Sequence, residues 1–284
     1  MKYQTFLYLL CISILCSQCT RPPRGSVPSI LMSDTTVTEG TTIVFSNAGA
    51  SQTSRRVDSA KKTFGIRAER KHPKEAHGAA PTEHLLYMTD MLSGNLPDML
   101  IFLELSDSSQ ISVLDSLYPH TFALPYTNSS KWFGVGTRDP CLLSEYIPYG
   151  CDGFHVLEFE NYLVIPVHLV ARMKNAKRRY LFLSRIIDYA YSCYKPVIIG
   201  GDFNSWIYGN MAYISQENIT KRLFDRYFTA CITEVKRTSG CPLFLDHVYV
   251  RQDLAEYYKC TGGVLDFKHK EMDHYPVFVN IIPK

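Results

Sequence analysis

The sequence predicts one α/β domain built from layers of sheet and helix, and three observations favour this class. The chain has 284 residues, 46% of them hydrophobic and 20% charged, which is enough apolar material for one large core. From residue 41 onward, short apolar runs typical of strands alternate with amphipathic helical stretches, without a strict strand–helix–strand repeat. No internal repeat is visible, which argues against a solenoid.

The individual elements follow from local composition. Strands are predicted where β-branched and other apolar residues form runs of four to seven, and helices where the apolar residues recur with helical spacing. The predicted strands cover residues 42–45, 99–103, 162–165, 196–199, 244–250 and 276–279. The predicted helices cover residues 82–93 and 172–191.

Composition and charge exclude several classes of protein. Intrinsic disorder, collagen and coiled coil do not fit the proportion of apolar residues. The net charge of +3 is too small for a histone-like coat on nucleic acid. After the first twenty residues no apolar run approaches the ~20 residues that a membrane-spanning helix needs. A globular, slightly basic protein is predicted.

The N-terminus has the pattern of a secretory signal peptide. Lys2 gives it a positive start, residues 6–15 are almost entirely apolar, and a Pro-Pro-Arg-Gly break follows at residues 22–25. The sequence therefore predicts a secreted or extracytoplasmic protein. A lipid anchor on Cys19 is the alternative, but the residues before Cys19 match the expected small, apolar sequence poorly.

The predicted domain plan is a signal peptide over residues 1–19, a Ser/Thr/Pro/Gly-rich linker over 20–40 and one domain over 41–284. Within the domain, residues 51–80 form a polar segment with eight Arg and Lys residues, predicted to be a surface insertion. Three histidines in or next to it are predicted to be solvated: His72, His77 and His84.

Cysteines outside the signal peptide predict disulfide bonds. They are Cys141, Cys151, Cys193, Cys231, Cys241 and Cys260. An even number in an exported chain favours pairing, and Cys141/Cys151 and Cys231/Cys241 are candidate local pairs, although the sequence does not fix the connectivity. Because no Cys-x-x-Cys motif occurs among them, the sequence gives little support to a structural zinc site.

The most informative motif is Gly200-Gly201-Asp202-Phe203-Asn204, at the end of an apolar strand. A strand interior gains nothing from this sequence, but a strand end facing a site does. The glycines allow a close turn of the backbone, and Asp202 and Asn204, two residues apart, can point the same way. The alternative is a simple turn in which Asp and Asn bond their own backbone.

Polar residues mark the ends of the other predicted strands as well. They are Asn47, Glu104, His168, Asp246 and the pair Asp273-His274. Carboxylate and carboxamide oxygens hold hard divalent cations, and imidazoles paired with acids stabilise negative charge on phosphorus. This set therefore predicts metal-assisted phosphoester hydrolysis.

The order of these motifs resembles the deoxyribonuclease I-like endonuclease/exonuclease/phosphatase superfamily over roughly residues 41–283. Gly201-Asp202-Phe203-Asn204 and Asp273-His274-Tyr275-Pro276-Val277 are the most specific pieces. The resemblance implies a four-layer α/β sandwich in which two mixed β-sheets face each other and helices flank them. It also implies that the chain acts as a monomer.

The resemblance implies a cofactor and its ligands. Glu104 is expected to hold Mg²⁺ or Mn²⁺, and Asn47 and Asp273 are expected to complete or support the shell of the ion. A structural Ca²⁺ is a further ion that the resemblance suggests.

The resemblance also implies catalytic roles for five residues. Asp202 is expected to orient or deprotonate the attacking water, and Asn204 to position that water or bind the phosphate. His168 and His274 are expected to donate hydrogen bonds to the phosphoryl oxygens, and Asp246 to pair with His274.

Several supporting positions depart from the family pattern. Ser46, Leu103, Pro166-Val167 and Met272 stand where the family usually has other residues, and Ser106 lacks the arginine that deoxyribonuclease I uses in the minor groove. Every ionisable residue of the motif is nevertheless present, which favours an active enzyme. A non-catalytic secreted binding protein of the same fold is the alternative.

The favoured function is an exported, divalent-metal-dependent phosphodiesterase that acts as an endonuclease on DNA. Residues 51–80 and a second basic cluster could follow a phosphate backbone; this cluster consists of Arg172, Lys174, Lys177, Arg178 and Arg179. A sphingomyelinase or phosphoinositide phosphatase acting at a phospholipid membrane surface is the alternative. His155 and His247 lie in apolar strands and are predicted to be packing residues.

Overall fold

The structure is a computed structural model that describes residues 40–49, 80–126, 129–150, 152–171, 175–205, 215–233, 238–239, 244–253 and 257–284. The predicted signal peptide, the linker up to residue 39 and the basic segment up to residue 79 lie outside these residues. In the part of the chain that the structure describes, no helix is both long and apolar enough to cross a membrane.

The described residues form twelve strands, three α-helices and one short 3₁₀ helix. In chain order they are β1 (Thr41–Asn47), α1 (Thr82–Ser93), β2 (Met99–Leu105), the 3₁₀ helix (Ser108–Val113), β3 (His120–Pro125), β4 (Trp132–Thr137), β5 (Leu143–Tyr149), β6 (Asp152–Glu158), β7 (Leu163–His168), α2 (Ala176–Ser192), β8 (Val197–Asp202), α3 (Ser215–Tyr227), β9 (Phe228–Ala230), β10 (Asp246–Arg251), β11 (Tyr258–Val264) and β12 (Val277–Pro283).

The strands form two mixed sheets whose inner faces pack together. Within the described ranges, the first sheet has the order β11-β12-β1-β2-β4-β3 and the second the order β5-β6-β7-β8-β10-β9. Phe45 and Ile101 of the first sheet share one buried core with Val164, Ile198 and Val248 of the second. Because residues of both sheets pack in one core, the two sheets are the central layers of the molecule.

Helices cover the outer face of each sheet and complete the four layers. On the first sheet, Leu85 and Met88 of α1 pack with Leu100 and Phe102. On the second sheet, α2 and α3 pack outside the strands, and Leu183, Ile186 and Phe224 share a core with Ile199 and Tyr249. The predicted four-layer α/β sandwich is therefore confirmed.

The structure contains each of the six predicted strands and also β6, where the sequence places His155 in an apolar strand without giving bounds, but five others were missed. The missed strands are β3, β4, β5, β9 and β11. Most of them belong to antiparallel hairpins, whose residues lack a continuous apolar run; β5, for example, is exposed along almost its whole length. Helix α1 has the predicted bounds, whereas α2 begins at Ala176 in the described residues and not at 172.

Strand register explains how distant residues meet. In the parallel pair of β7 and β8, His168 lies opposite Asp202. In the antiparallel pair of β8 and β10, Asp246 lies opposite the same Asp202. In the parallel pair of β1 and β2, Asn47 lies opposite Leu103, the neighbour of Glu104. The polar strand ends are thus collected at one edge of the sandwich.

Gly201 is required by this arrangement. Its φ of 129° lies in a region that residues with a side chain rarely adopt, and a Cβ atom there would lie 2.2 Å from the carbonyl oxygen of Val167. The neighbouring Gly200 leaves room for the ring of Phe45. The two glycines therefore bring the backbone before Asp202 close to both β7 and the inter-sheet core.

A Gly201→Ala substitution is expected to lower the free energy of unfolding by about 3 kcal/mol or more, because backbone strain adds to a backbone clash. The matched control is Gly94→Ala. Gly94 has a φ of −73°, and no atom lies within 4 Å of its added Cβ. Urea unfolding of both variants tests this; equal midpoints for Gly201→Ala and the wild type would contradict it.

His84 was predicted to be solvated, and this is wrong. It lies in the first turn of α1 and is completely buried, with its Nδ1 2.8 Å from the carbonyl oxygen of Ala48. The sequence assigned it to the basic segment, but α1 packs its first turn onto the end of β1. His72 and His77 lie outside the described residues.

The predicted disulfide pairs each include a cysteine, Cys151 or Cys241, that lies outside the described residues. Among the described residues, Cys141, Cys193, Cys231 and Cys260 carry free thiols. Cys231 and Cys260 interact through a hydrogen bond between their side chains, which raises the pKa of Cys231 and lowers that of Cys260. Disulfide formation stays a prediction.

Candidate active site

A cavity of about 450 Å³ opens at the edge where the polar strand ends meet. Seven of the eight predicted site residues line it: Asn47, Glu104, His168, Asp202, Asn204, Asp273 and His274. The eighth, Asp246, is buried behind the cavity and contacts it through His274. The structure therefore brings the whole predicted set together, although the residues are separated by more than 200 positions in the sequence.

Asp202 lies at the centre of the site and is almost fully buried. Its Oδ2 accepts a hydrogen bond of 3.0 Å from the Nδ2 of Asn47 and lies 3.6 Å from the Nε2 of His168. Its Oδ1 accepts a hydrogen bond of 2.7 Å from the backbone N–H of Asn204. Burial raises the pKa of Asp202 to about 6, against the opposing effects of His274, His168 and the Asn204 hydrogen bond.

His274 is held by two acids on its two ring nitrogens. Its Nδ1 donates a hydrogen bond of 2.7 Å to the Oδ2 of Asp246, and its Nε2 lies 3.8 Å from Asp202. Burial alone would lower the pKa of His274, but the charges of Asp246 and Asp202 raise it well above the ordinary value. The raised pKa favours the protonated ring, whose Nε2 lies 3.8 Å from Asp202 and 3.9 Å from Asp273.

Glu104 is the second centre of charge in the cavity. Its Oε1 lies 3.1 Å from the Nε2 of His168, and its Oε2 lies 2.8 Å from the Nζ of Lys131. Burial opposes ionisation of this carboxyl, but His168 and Lys131 outweigh it and lower the pKa of Glu104 to about 2. Glu104 is thus a carboxylate across the whole physiological pH range.

The backbone at Glu104 is strained. Glu104 has a φ of 67°, and the pairing of β2 with β4 shifts register between Phe102 and Leu105. The backbone N–H of Glu104 donates a hydrogen bond of 2.9 Å to the hydroxyl of Tyr126, which holds this irregular turn. The bulge turns the Glu104 side chain toward the cavity instead of the sheet.

Asn204 has the same kind of backbone. Its φ is 46°, and its Nδ2 donates a hydrogen bond of 2.8 Å to the carbonyl oxygen of Leu169. Asn204 also lines the cavity. Glu104 and Asn204 are the two non-glycine residues with positive φ among the described residues.

A divalent cation fits the acidic part of the cavity. Burial raises the pKa of Asp273, and the nearby charge of Glu104 raises it further, so two carboxylates crowd one another in the cavity. Lys131 already places one positive charge on Glu104. Hard carboxylate oxygens and a carboxamide from Asn47 are the donors that Mg²⁺ and Mn²⁺ prefer, so the residues present fit the implied ion.

A second combination of ligand atoms in the cavity, from Asp202, Asp246 and His274, is close enough to contact an ion. It is better explained as a hydrogen-bonded pair beside Asp202, because the Oδ2 of Asp246 accepts the Nδ1–H of His274, whereas Asp202 lies 3.8 Å from the Nε2 of the same ring. An ion bound to Nδ1 would have to displace that proton.

Sequence reasoning missed two residues of the site, Lys131 and Tyr126. Both follow from the pairing of β3 and β4 next to β2, in which Pro125 lies opposite Trp132. No local motif marks them, and because the sequence analysis missed the hairpin of β3 and β4, it could not indicate that Lys131 contacts Glu104. Tyr126 also contacts His168, with ring centroids 5.3 Å apart.

The second basic cluster is only partly described, because residues 172–174 lie outside the described ranges. Arg178 and Arg179 line the cavity. Arg178 donates a hydrogen bond of 2.8 Å to Asp152, and Arg179 is buried and donates one of 2.9 Å to the carbonyl oxygen of Val170. Arg179 is therefore a structural residue of the cavity wall.

The two histidines predicted to be packing residues are buried. His247 packs edge-on against Phe203 and Phe244, and burial lowers its pKa to about 3. His155 donates a hydrogen bond of 2.8 Å from Nε2 to the carbonyl oxygen of Pro125, and it also lines the cavity.

The free energy of unfolding of the metal-free protein is expected to fall as pH rises above about 6.5. His274 has a raised pKa in the folded state, so it stabilises the fold below its unfolded pKa and loses that contribution as it deprotonates. The slope approaches about 1.4 kcal/mol per pH unit for one proton. Urea unfolding from pH 6 to 9 measures it, and Asp246→Asn should flatten the slope; an unchanged slope in that variant would contradict the assignment.

Comparison with known families identifies the family of this chain. The sequence model of the Endonuclease/Exonuclease/phosphatase family matches residues 67–265, which is more than half of the chain. The chain belongs to the endonuclease/exonuclease/phosphatase family. The resemblance seen in the motifs is thereby confirmed, and it places the protein among the hydrolases of phosphoester bonds.

Solved members of the endonuclease/exonuclease/phosphatase fold superpose on the chain at low identity. The endonuclease/exonuclease/phosphatase from Beutenbergia cavernae has a TM-score of 0.63 at 13% identity, over 86% of this chain and 72% of its own. The human Nocturnin catalytic domain has a TM-score of 0.58 at 14% identity, over 87% and 96%. The 3′ phosphatase NExo from Neisseria, solved with a product DNA hairpin, has a TM-score of 0.58 at 14% identity, over 85% and 99%.

These likenesses establish the fold of the family and leave the substrate of this chain open. No sequence among curated proteins matches the chain. The substrate must therefore be argued from the cavity itself.

Proposed function

We propose that the protein is a divalent-metal-dependent phosphodiesterase that cleaves DNA as an endonuclease. The proposal rests on two groups of residues that meet at one cavity. The first is a pair of carboxylates, called here the acidic corner, and the second is a chain of contacts between two acids and a histidine. Glu104 and Asp273 supply the corner. Asp246, His274 and Asp202 form the chain, with contacts of 2.7 Å and 3.8 Å.

Each group has a distinct task in this proposal. Glu104, Asp273 and Asn47 would hold Mg²⁺ or Mn²⁺, which when bound would polarise the phosphoester and stabilise the leaving oxygen. Asp202, whose pKa is about 6, is ionised at neutral pH and accepts a proton from the attacking water. The imidazolium of His274 donates its Nε2–H to the phosphoryl oxygen as negative charge develops there.

His168 and Asn204 complete the phosphate pocket. His168 lies between Glu104 and Asp202, at 3.1 Å and 3.6 Å, and both charges help to raise its pKa against the effect of burial. It is therefore a second cationic donor for the phosphoryl group. The backbone N–H of Asn204 is hydrogen-bonded to Asp202, and its side-chain amide is hydrogen-bonded to the carbonyl oxygen of Leu169. These two bonds fix the amide, which in this proposal positions the attacking water.

DNA is proposed as the substrate because cationic side chains line the cavity and flank it in sequence. Lys131 and Arg178 line the cavity, and the basic segment over 51–79 precedes α1. Such a distribution favours a polyanion that extends past the scissile bond. We propose further that the chain is exported, on the basis of the signal-peptide pattern over residues 1–19.

A phospholipid is the second candidate, and one observation favours it. Residues 142–149, at the edge of the second sheet, expose four large apolar side chains: Leu142, Leu143, Tyr146 and Tyr149. The next strand, β6, contributes Asp152, Gly153 and Phe154 to the cavity wall. An exposed apolar edge beside the cavity would suit a membrane interface.

One experiment separates these substrates. The purified protein is incubated with supercoiled plasmid and with sphingomyelin vesicles, each with Mg²⁺ and with chelator. Nicking that requires Mg²⁺ and weakens steeply as salt rises is the expected result. Metal-dependent release of phosphocholine without nicking would replace DNA by the lipid. An absence of both reactions would overturn the proposed DNA endonuclease and leave a phosphatase of narrower specificity or a non-catalytic binding protein.

Lys131→Met is expected to raise the affinity for Mg²⁺ by about tenfold, because the lysine neutralises the carboxylate oxygen of Glu104 that the ion needs. Calorimetric titration of the metal-free protein with Mg²⁺ measures the change. Lys195→Met is the control, since Lys195 pairs with Glu158 away from the cavity, at 2.6 Å. Equal affinities in Lys131→Met and the wild type would show that Lys131 does not compete with the ion.

A further inference from the structure

His84 presents an unusual buried imidazole. Its Nδ1 lies 2.8 Å from the carbonyl oxygen of Ala48, and because a carbonyl only accepts, Nδ1 carries the proton. Nε2 therefore carries the lone pair. This nitrogen is buried and has no hydrogen-bond partner among the described residues, although the side chain is completely inaccessible to solvent. A buried acceptor without a donor is costly unless something binds it.

Two potential ligands lie next to the imidazole ring of His84. The ring of His269 has its centroid 4.6 Å from that of His84, and Glu271 follows two residues later. One ligand atom from each of His84, His269 and Glu271 lies within 4.8 Å of the others. The three residues come from α1 and from the loop between β11 and β12, so the fold and not a sequence motif brings them together.

The loop between β11 and β12 turns tightly at this cluster. The backbone N–H of Met272 donates a hydrogen bond of 3.0 Å to the carbonyl oxygen of His269. Within that turn the N–H of Glu271 makes a long contact, of 3.4 Å, to the Nδ1 of His269. The ring of His269 also packs edge-on against Tyr87, with ring centroids 5.5 Å apart.

We propose that His84, His269 and Glu271 form a second metal site that binds Zn²⁺ and is separate from the catalytic cavity. Two imidazole nitrogens and one carboxylate are a ligand set that Zn²⁺ accepts, with water in a fourth position. Mg²⁺ avoids such a set, because it prefers oxygen ligands in an octahedral shell.

The hydrogen bond from His84 to Ala48 supports this assignment. Metal-bound histidines usually donate their other ring N–H to a carbonyl or carboxylate, which fixes the tautomer and the ring orientation. Burial also lowers the pKa of His84, which favours the neutral ring whose lone pair a metal ion needs. Metal binding would satisfy the one nitrogen that the protein leaves without a donor.

The position of the site suggests what the ion does. None of the three ligands lines the catalytic cavity, but Glu271 precedes the Asp273-His274 pair by two residues. On the other side, Ala48 follows Asn47 directly. Zn²⁺ would therefore tie the loop that carries Asp273 and His274 to α1 and to the end of β1, and so fix the shape of the active-site wall.

The test uses the full chain, freed of metal and then kept in excess Mg²⁺ so that the catalytic acids are occupied. Zn²⁺ binding is measured by calorimetry, and Co²⁺ is used as a spectroscopic probe of a tetrahedral site. The variants are His269→Ala and Glu271→Gln. Because neither side chain is fully buried, we expect both variants to fold, and circular dichroism checks this. His120→Ala, at an exposed histidine outside the cluster, is the matched control.

We expect the wild type and His120→Ala to bind one Zn²⁺ in this cluster, with an absorption band of tetrahedral Co²⁺. His269→Ala should weaken binding by about 100-fold or more, and Glu271→Gln by about tenfold or more. Unchanged Zn²⁺ affinity in folded His269→Ala would overturn the proposal. So would Zn²⁺ binding that disappears in Asp246→Asn while persisting in His269→Ala, since that ion would belong to the catalytic cavity. Failure of the phosphodiesterase assay would leave these binding results unaffected.

Discussion

Asp202→Asn is expected to lower turnover about 10³-fold while the fold stays intact, within the range observed for loss of a general base. Among the described residues, Asp202 is the one carboxylate that lies within 4 Å of both His168 and His274, at 3.6 Å and 3.8 Å. Asparagine keeps the shape and can accept one of the two hydrogen bonds that Asn47 and Asn204 donate to Asp202, but it accepts no proton from water. Initial rates of phosphodiester cleavage at saturating Mg²⁺ measure the loss.

The matched control is Asp188→Asn, an exposed aspartate on α2. It changes one charge by the same amount and should cleave at the rate of the wild type. Turnover of Asp202→Asn within tenfold of the wild type would contradict the role as base. Loss of activity in Asp188→Asn would instead point to a general effect of charge on substrate binding.

Glu104→Gln is expected to weaken Mg²⁺ binding by about 100-fold or more, comparable to the largest effects of removing a group that supports a metal site. The substitution does more than remove a ligand. His168 and Lys131 both form ion pairs with this carboxylate, at 3.1 Å and 2.8 Å. In the variant they would remain as unneutralised positive charges beside the ion. Coulomb repulsion in a buried cavity then adds to the lost bond.

Calorimetric titration with Mg²⁺ measures this change directly, and cleavage rates should fall in parallel. Glu145→Gln, on the exposed strand β5, is the control. An unchanged Mg²⁺ affinity in Glu104→Gln would move the metal site elsewhere. A double variant, Glu104→Gln with Lys131→Met, should recover part of the affinity, because it removes one of the two repelling charges.

The fold and most of the candidate site could be predicted because the polar side chains of the site lie at the ends of apolar strands. Asp202 follows an apolar run and a pair of glycines, and His168 follows another apolar run. Central strands of a sandwich are buried on both faces, so a polar residue at their end is visible in sequence. The register of β7, β8 and β10 then brings these ends together.

Other features depend on tertiary packing and leave no local signal. Lys131 reaches Glu104 only because β4 pairs with β2, and such long-range pairing is not encoded by neighbouring residues. His84 looks polar in sequence, but its burial depends on how α1 docks onto the first sheet. The exposed strand β5 has no apolar periodicity to reveal it.

The positive φ angles of Glu104 and Asn204 lower the stability of the folded chain, while they orient side chains that the proposed reaction needs. Each such residue costs about 1–3 kcal/mol that glycine would not. Selection for stability alone would therefore favour replacement of Asn204 by glycine. That replacement would remove a functional amide. Thermostable lineages of this gene would lose activity first at the positions where the backbone is bent to aim a side chain.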